Sequence, residues 1–479
     1  MIAAMLLIAP STILISGGML VDGSGSKPRL ADVRIKGSQI VAIGSLMRLQ
    51  GETVVNAKGL VVAPGFIDAH SHALGGIKGD PTAISQLMQG ITTAVGGQDG
   101  GWSQPVAAEF QDIKRIKPAI NFALFSGHGG LRASVMGNDY KRVASLTEIS
   151  KMRNLLAADM KAGSLGLSSG LEYDPGYYSD TKELVQLAQV AHKGIYISHV
   201  RDEADKAMDA FQELVKIGRE GALHAQISHI KLGSKAVWNK TAEVLKLIEK
   251  EKLTADVYPY TYWQSTIAAL SPSREWENDE IWVKGLDDVG GPQNVRLSTY
   301  TPNPAWVGKT LTEIGQETGR SPIKIIQEIL RTTNEEGRQS VVVTAMQERD
   351  LIQFIKHPRI MFCSDGSIGG SHPRGAGSFP RILGRYVREL KVLSLQEAIR
   401  KMTSFPAQTF ALKNRGIIRK NYIADIVVFD PRAIADHATP TDSKALSTGV
   451  REVFVNGVHT VREAKLLGSR AGMPVQRGV

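Results

Sequence analysis

Two histidines one residue apart, His70 and His72, close an apolar run that begins at Val61. In an extended chain, residues i and i+2 project to the same side. A strand carried through to its end therefore brings both imidazoles to one point. Neutral imidazole is the commonest nitrogen ligand for divalent metals, so this spacing supplies half of a metal site. Candidates for the other half stand at similar positions. His199 and His229 each end a short apolar run, in Ser198-His199-Val200-Arg201 and Ser228-His229-Ile230-Lys231. Asp99 follows Ile91-Thr92-Thr93-Ala94-Val95, and Asp365 follows Ile360-Met361-Phe362-Cys363. Four histidines and two aspartates so placed form a donor set suited to binding metal and activating water.

A scaffold must bring these run ends together. Candidate strands fall at 62–68, 91–95, 119–125, 164–168, 194–199, 225–230, 253–257 and 359–363. Amphipathic helical stretches lie between them, among them 146–162, 181–191, 204–219 and 240–250. Strands alternating with helices predict a parallel α/β domain. Eight such units predict a (β/α)8 barrel, which needs about 250 residues and carries its active site at the C-terminal strand ends. The excess falls at 265–355, where Trp276, Trp282, Trp306 and a helix over 321–332 break the rhythm. That stretch reads as an insertion, a lid over the barrel mouth. Short strands and Gly-rich turns over 11–62, with further strands at 424–429 and 450–455, predict a small β-sandwich built from both ends of the chain. The expected division is 1–61 with 405–479 for the sandwich, and 62–404 for the barrel.

Composition narrows the class. The chain has 479 residues, 42% of them apolar and 22% charged, as in an ordinary globular protein with a large core. The single cysteine, Cys363, excludes an intramolecular disulfide framework and reads as a buried small hydrophobe. A net charge of +10 with no Lys/Arg block among exposed aromatics argues against a nucleic-acid partner. The apolar stretch 1–10 is too short to span a bilayer and lacks a basic leader, so no membrane association is expected. The expected compartment is the cytoplasm, or the periplasm or exterior if that stretch is a signal remnant. A homo-oligomer is compatible with all of this.

The string Gly65-Phe66-Ile67-Asp68-Ala69-His70-Ser71-His72, two later single histidines and a last aspartate resemble the amidohydrolase superfamily. Gly127-His128-Gly129, Gly170-Leu171-Glu172-Tyr173, Asp256-Val257-Tyr258-Pro259-Tyr260 and His372-Pro373-Arg374-Gly375 narrow the resemblance to the N-acyl-D-amino-acid deacylases, or D-aminoacylases. The resemblance implies zinc, one or two ions, held tightly by Asp99, His199 and His229 and more weakly by His70, His72 and Asp365. It also adds Tyr173 and Ser265 to the substrate pocket. Where such enzymes usually have cysteine in an Asn-Cys-Gly string, this chain has Gln98-Asp99-Gly100. Carboxylate oxygen is the harder ligand, which shifts preference toward manganese or cobalt. Glu172 is the alternative carboxylate ligand.

The implied reaction is hydrolysis of an N-acyl-D-amino acid by metal-activated water, with Asp365 as general base and proton donor to the leaving amine. Tyr258 or His128 would stabilise the oxyanion, and Lys231 and Arg374 would bind the substrate carboxylate. Chirality comes from the resemblance alone. A cyclic-amide hydrolase of the dihydroorotase or hydantoinase kind would usually carry a carboxylated lysine after the fourth strand, where this chain has Ser168-Ser169-Gly170. A dipeptidase or lactonase would use the same chemistry. An inactive scaffold would be expected to have lost ligands, and here every one is present.

Overall fold

The computed structural model describes residues 12–271, 275–333 and 338–478. The stretch 1–10, considered above as a signal remnant, lies outside the described residues. Eight short strands run parallel: β1 (Phe66–Asp68), β2 (Ile91–Gly96), β3 (Asn121–Leu124), β4 (Gly166–Gly170), β5 (Ile195–His199), β6 (His224–Ile227), β7 (Thr254–Val257) and β8 (Ile360–Phe362). Neighbours in sequence are neighbours in space, β1 to β3 forming one arc and β4 to β8 a second. Ser126–Gly127, directly after β3, pairs with β4 and joins the arcs. At the other side Asp365 N donates to His70 O at 2.8 Å and His72 N to Gly366 O at 3.0 Å, laying the chain after β8 against the chain after β1.

Alternation along these strands divides the core. Ile67, Val95, Ala123, Ile197 and Met361 share one buried cluster, while their neighbours Phe66, Ala94, Phe122, Tyr196 and Phe362 pack in another with the helices. Strands buried on both faces read as continuous apolar runs, which is why the sequence exposes them so clearly. The helices begin where side chains cap them. Ser145 and Glu148 form a capping box at Leu146–Lys161, and the Asp180 carboxylate accepts from Glu183 N at the head of Thr181–Val190.

The run expected as one strand over 62–68 is two. Val61–Pro64 pairs antiparallel with Ile426–Phe429, whereas β1 begins at Phe66 and pairs with β2. Gly65 makes the transfer, because a Cβ there would lie 2.3 Å from Thr92 Oγ1. Val61–Pro64 thereby enters a seven-stranded sheet shared by both ends of the chain. A four-stranded sheet from 12–56 lies against it, with Ile15, Val33 and Ile35 packed in one cluster with Val62, Ile426 and Phe454. Between β7 and β8, strands Tyr262–Ser265, Val295–Tyr300 and Gln339–Thr344 form an antiparallel sheet. Its own core includes Trp282, Leu297 and Ile325.

Lys401 is buried in the helix Leu395–Met402, its ammonium donating to the carbonyls of Ile355 and His357. Burial drives its pKa down from 10.5 to about 7. Between those values the unfolded chain holds the extra proton, so this residue makes stability rise as pH climbs from about 7 toward 10.5. Lys401→Met is expected to flatten that rise, read as urea midpoints at the two ends of the window. An unchanged slope would show that Lys401 stays ionised throughout.

Candidate metal centre

β1 ends at Asp68, so His70 and His72 follow the strand instead of extending it. They still converge. His70 Nε2 lies 3.3 Å from Asp99 Oδ2 and 3.6 Å from Asp365 Oδ1, and His72 Nε2 lies 3.2 Å from each of the same oxygens. The other Asp99 oxygen, Oδ1, lies 3.3 Å from His229 Nε2. His199 Nδ1 stands 3.0 Å from His229 Nε2, and its Nε2 stands 2.8 Å from Glu172 Oε2. Asp99, His229 and Asp365 adopt φ of 53°, 31° and 50°, in the left-handed region that side chains avoid. Such conformations cost about 1–3 kcal/mol each and gather at functional sites.

The donor set fits a divalent cation. Donor atoms of His70, Asp99, His229 and Asp365 all lie within 4.8 Å of one another, as do those of His199, Glu203 and His229. Asp99 Oδ1 and His70 Nδ1 are buried without a hydrogen-bond partner, and two imidazole nitrogens face each other across 3.0 Å. Buried polar groups seldom go unpaired, and convergent lone pairs of this kind call for a cation. Burial opposes charge on Asp99, yet His70 and His229 outweigh it and hold the carboxyl well below its usual range. Burial likewise opposes charge on His72, but Asp365 and Asp99 push its pKa up to about 9.

The grouping differs from the sequence-based one. Asp99 was expected with His199 and His229, but its two oxygens face opposite ways, one toward His229 and one toward His70 and His72. Glu203, which the sequence reading missed, joins His199 and His229 instead. Its carboxylate accepts from Lys231 Nζ at 2.7 and 2.8 Å and lies 3.3 Å from His229 Nδ1. The signal for it was slight, an acid four residues beyond His199 on a loop. Asp256, noted within the strand-seven string, lies 3.6 Å from His70 Nδ1 and accepts from His229 N at 2.8 Å.

These residues border a cavity of about 870 Å³. Tyr173, Glu172, Lys231, Ser265 and Arg374 line it together with His72, Asp99, His199, His229 and Asp365. Arg374 is not a free cation: it pairs with Asp365 Oδ2 at 2.6 Å and stacks 4.9 Å over the Tyr258 ring. Two expected residues do not line the cavity. Tyr258 lies beneath, its buried hydroxyl without a hydrogen-bond partner. His128 is fully buried with Nε2 2.8 Å from Glu183 Oε1, because its place at the head of the helix His128–Met136 turns it toward Arg132 and Glu183.

Histidines and aspartates gathered where parallel strands end make a donor set suited to binding metal and activating water. The chain belongs to the Amidohydrolase family, whose signature matches residues 53–266 and 353–461. It is 32% identical to the D-aminoacylase of Alcaligenes xylosoxydans xylosoxydans, over 98% of each chain. It is 33% identical to N-acyl-D-glutamate deacylase of the same organism, over 93% of this chain and 92% of that one. Among solved structures it is similar to N-acyl-D-glutamate deacylase from Bordetella bronchiseptica complexed with zinc and a phosphonate mimic of the tetrahedral intermediate. The two superpose with a TM-score of 0.87 at 30% identity, covering 98% of this chain and all of that one.

Proposed function

We propose that this chain is a metal-dependent N-acyl-D-amino-acid deacylase, releasing a D-amino acid and a carboxylic acid. The observation that carries the reading is the convergence of His70, His72, His229, Asp99 and Asp365 at the wall of a cavity that also presents Arg374 and Lys231. The relatives at similar length act on N-acyl-D-amino acids by name, which supports the substrate class and its chirality. We place the parallel strands in a (β/α)8 barrel over 66–404. The mixed sheets of 12–64 and 426–466 form a β-sandwich beside it, and the antiparallel sheet between β7 and β8 marks the insertion. The in-order pairing and the hydrogen bonds between the ends of β8 and β1 support that barrel.

His70, His72, Asp99, His199, His229 and Asp365 would hold zinc, with Glu203 or Glu172 in reach of His199. A zinc ion held there would supply a Lewis acid that lowers the pKa of water toward about 7 and polarises a carbonyl. Asp365 accepts the proton of the attacking water and returns it to the leaving nitrogen. Burial opposes its ionisation, but Arg374 and His229 hold it well below the usual carboxylate range, so it enters the reaction as a base. Arg374 and Lys231 orient the substrate carboxylate, and Glu203 keeps Lys231 aimed into the cavity. Burial keeps the Tyr258 hydroxyl protonated, but the group lies beneath the cavity, where its ring supports the Arg374 guanidinium.

Metal analysis of the purified protein, with hydrolysis of N-acetyl-D- and N-acetyl-L-methionine, tests the reading. Bound metal and hydrolysis confined to the D form are expected. Bound metal with neither substrate cleaved would redirect the site to cyclic amides, dipeptides or lactones. No metal after reconstitution with zinc, manganese or cobalt would overturn it.

A further inference from the structure

The loop after β4 carries Glu172 and Tyr173 into the cavity and continues through Tyr177 and Tyr178 to the helix Thr181–Val190. Two guanidinium groups hold successive carbonyls at its far end. Arg201 Nη1 donates to Tyr177 O at 3.0 Å, and Arg132 Nη2 donates to Tyr178 O at 3.4 Å. Arg132 is fully buried and also reaches the carbonyls of Tyr140 and Arg142. Arg132 is anchored on the first turn of that helix and Arg201 on the following helix, Ala207–Glu220. Arg132 pairs with Glu183, which also holds His128. Arg201 grips Glu213 with Nε at 2.8 Å and Nη2 at 3.0 Å, and Thr181 Oγ1 donates to that carboxylate at 2.8 Å.

The loop touches the metal centre at its near end. Glu172 Oε2 lies 2.8 Å from His199 Nε2, and the Tyr173 ring lies 4.4 Å from the His199 ring. Behind them the backbone is packed without space. A Cβ on Gly176 would lie 2.3 Å from Gly170 O, and one on Gly170 would lie 2.3 Å from Asp99 O. A shift of this loop is therefore felt at Glu172 and Tyr173.

We infer that Arg132 and Arg201 are positioning residues, a clamp that sets Glu172 and Tyr173 for substrate. The inference rests on the cavity being the acyl-amino-acid site. Arg201 joins a bidentate carboxylate pair to a carbonyl bond, and Arg132 joins one carboxylate bond to carbonyl bonds, uses of the planar fork that lysine reproduces only in part. Neither arginine lines the cavity, so the effect passes through the loop.

The test compares Arg201→Met, Arg201→Lys and Arg132→Lys with the unaltered protein. Displaced contact residues are expected to raise KM about tenfold in Arg201→Met, with kcat and metal content close to the original. Arg201→Lys recovers part of that loss, and hydrogen exchange over 172–178 quickens in each variant in the same order. Unchanged KM and unchanged exchange in Arg201→Met and Arg132→Lys overturn the clamp. A lowered thermal midpoint with KM and exchange over 172–178 unchanged also overturns it, in favour of a purely structural role. A parent protein inactive on every N-acyl-D-amino acid refutes the proposed function instead, and the exchange measurement then decides the clamp alone.

Discussion

Asp365→Asn is expected to lower kcat by about 10²–10⁴-fold, the usual worth of a positioned general base. Asparagine keeps the size of the side chain and an oxygen for Arg374, which now contacts Oδ2 at 2.6 Å. It cannot take a proton from water or return one to nitrogen. The same residue faces His72 and His70 through Oδ1, so the proposed metal centre loses a charge as well. Metal content measured beside kcat separates the two effects. A variant that holds its full metal complement yet retains more than about a tenth of the rate would move the base elsewhere. Glu172 and Glu203, both at the cavity wall, would be next in line.

The second large effect belongs to Asp99. Its carboxylate presents Oδ2 to His70 and His72 and Oδ1 to His229, so it serves both donor groups at once. Asp99→Asn removes the charge that opposes a dication there and leaves an amide whose NH2 points at one imidazole cluster. Loss of an outer partner alone costs about 10–100-fold in metal affinity, and loss of this direct donor is expected to exceed that. Equilibrium dialysis against a metal-buffered series measures it. Asp99→Cys restores the charge with one soft sulfur in place of two hard oxygens. After dialysis against equal zinc and manganese, it is expected to retain a higher proportion of zinc than the parent. Equal ratios in the two proteins would mean that Asp99 is no ligand.

Read alone, the sequence determined the donor types, their order and the elements that present them. The eight apolar runs and the helices between them were legible because burial on both strand faces and end-capping are local and periodic. His70, His72, Asp99, His199, His229 and Asp365 could be picked out because each follows such a run.

What only the tertiary structure decided lies in the turns beyond the strands. There the backbone leaves its periodic path, at Asp99, His229 and Asp365 with positive φ, and no repeat says where a side chain points. So the division of 62–68 at Gly65, the two-way facing of Asp99, the burial of His128 against Glu183 and the entry of Glu203 came only with the fold. The pairing of Arg374 with Asp365 joins residues nine positions apart, but across a turn whose path depends on contacts with β1. Chemistry is carried by residue type, which sequence states outright. Partnership is decided by packing between segments distant in the chain, which sequence encodes only collectively.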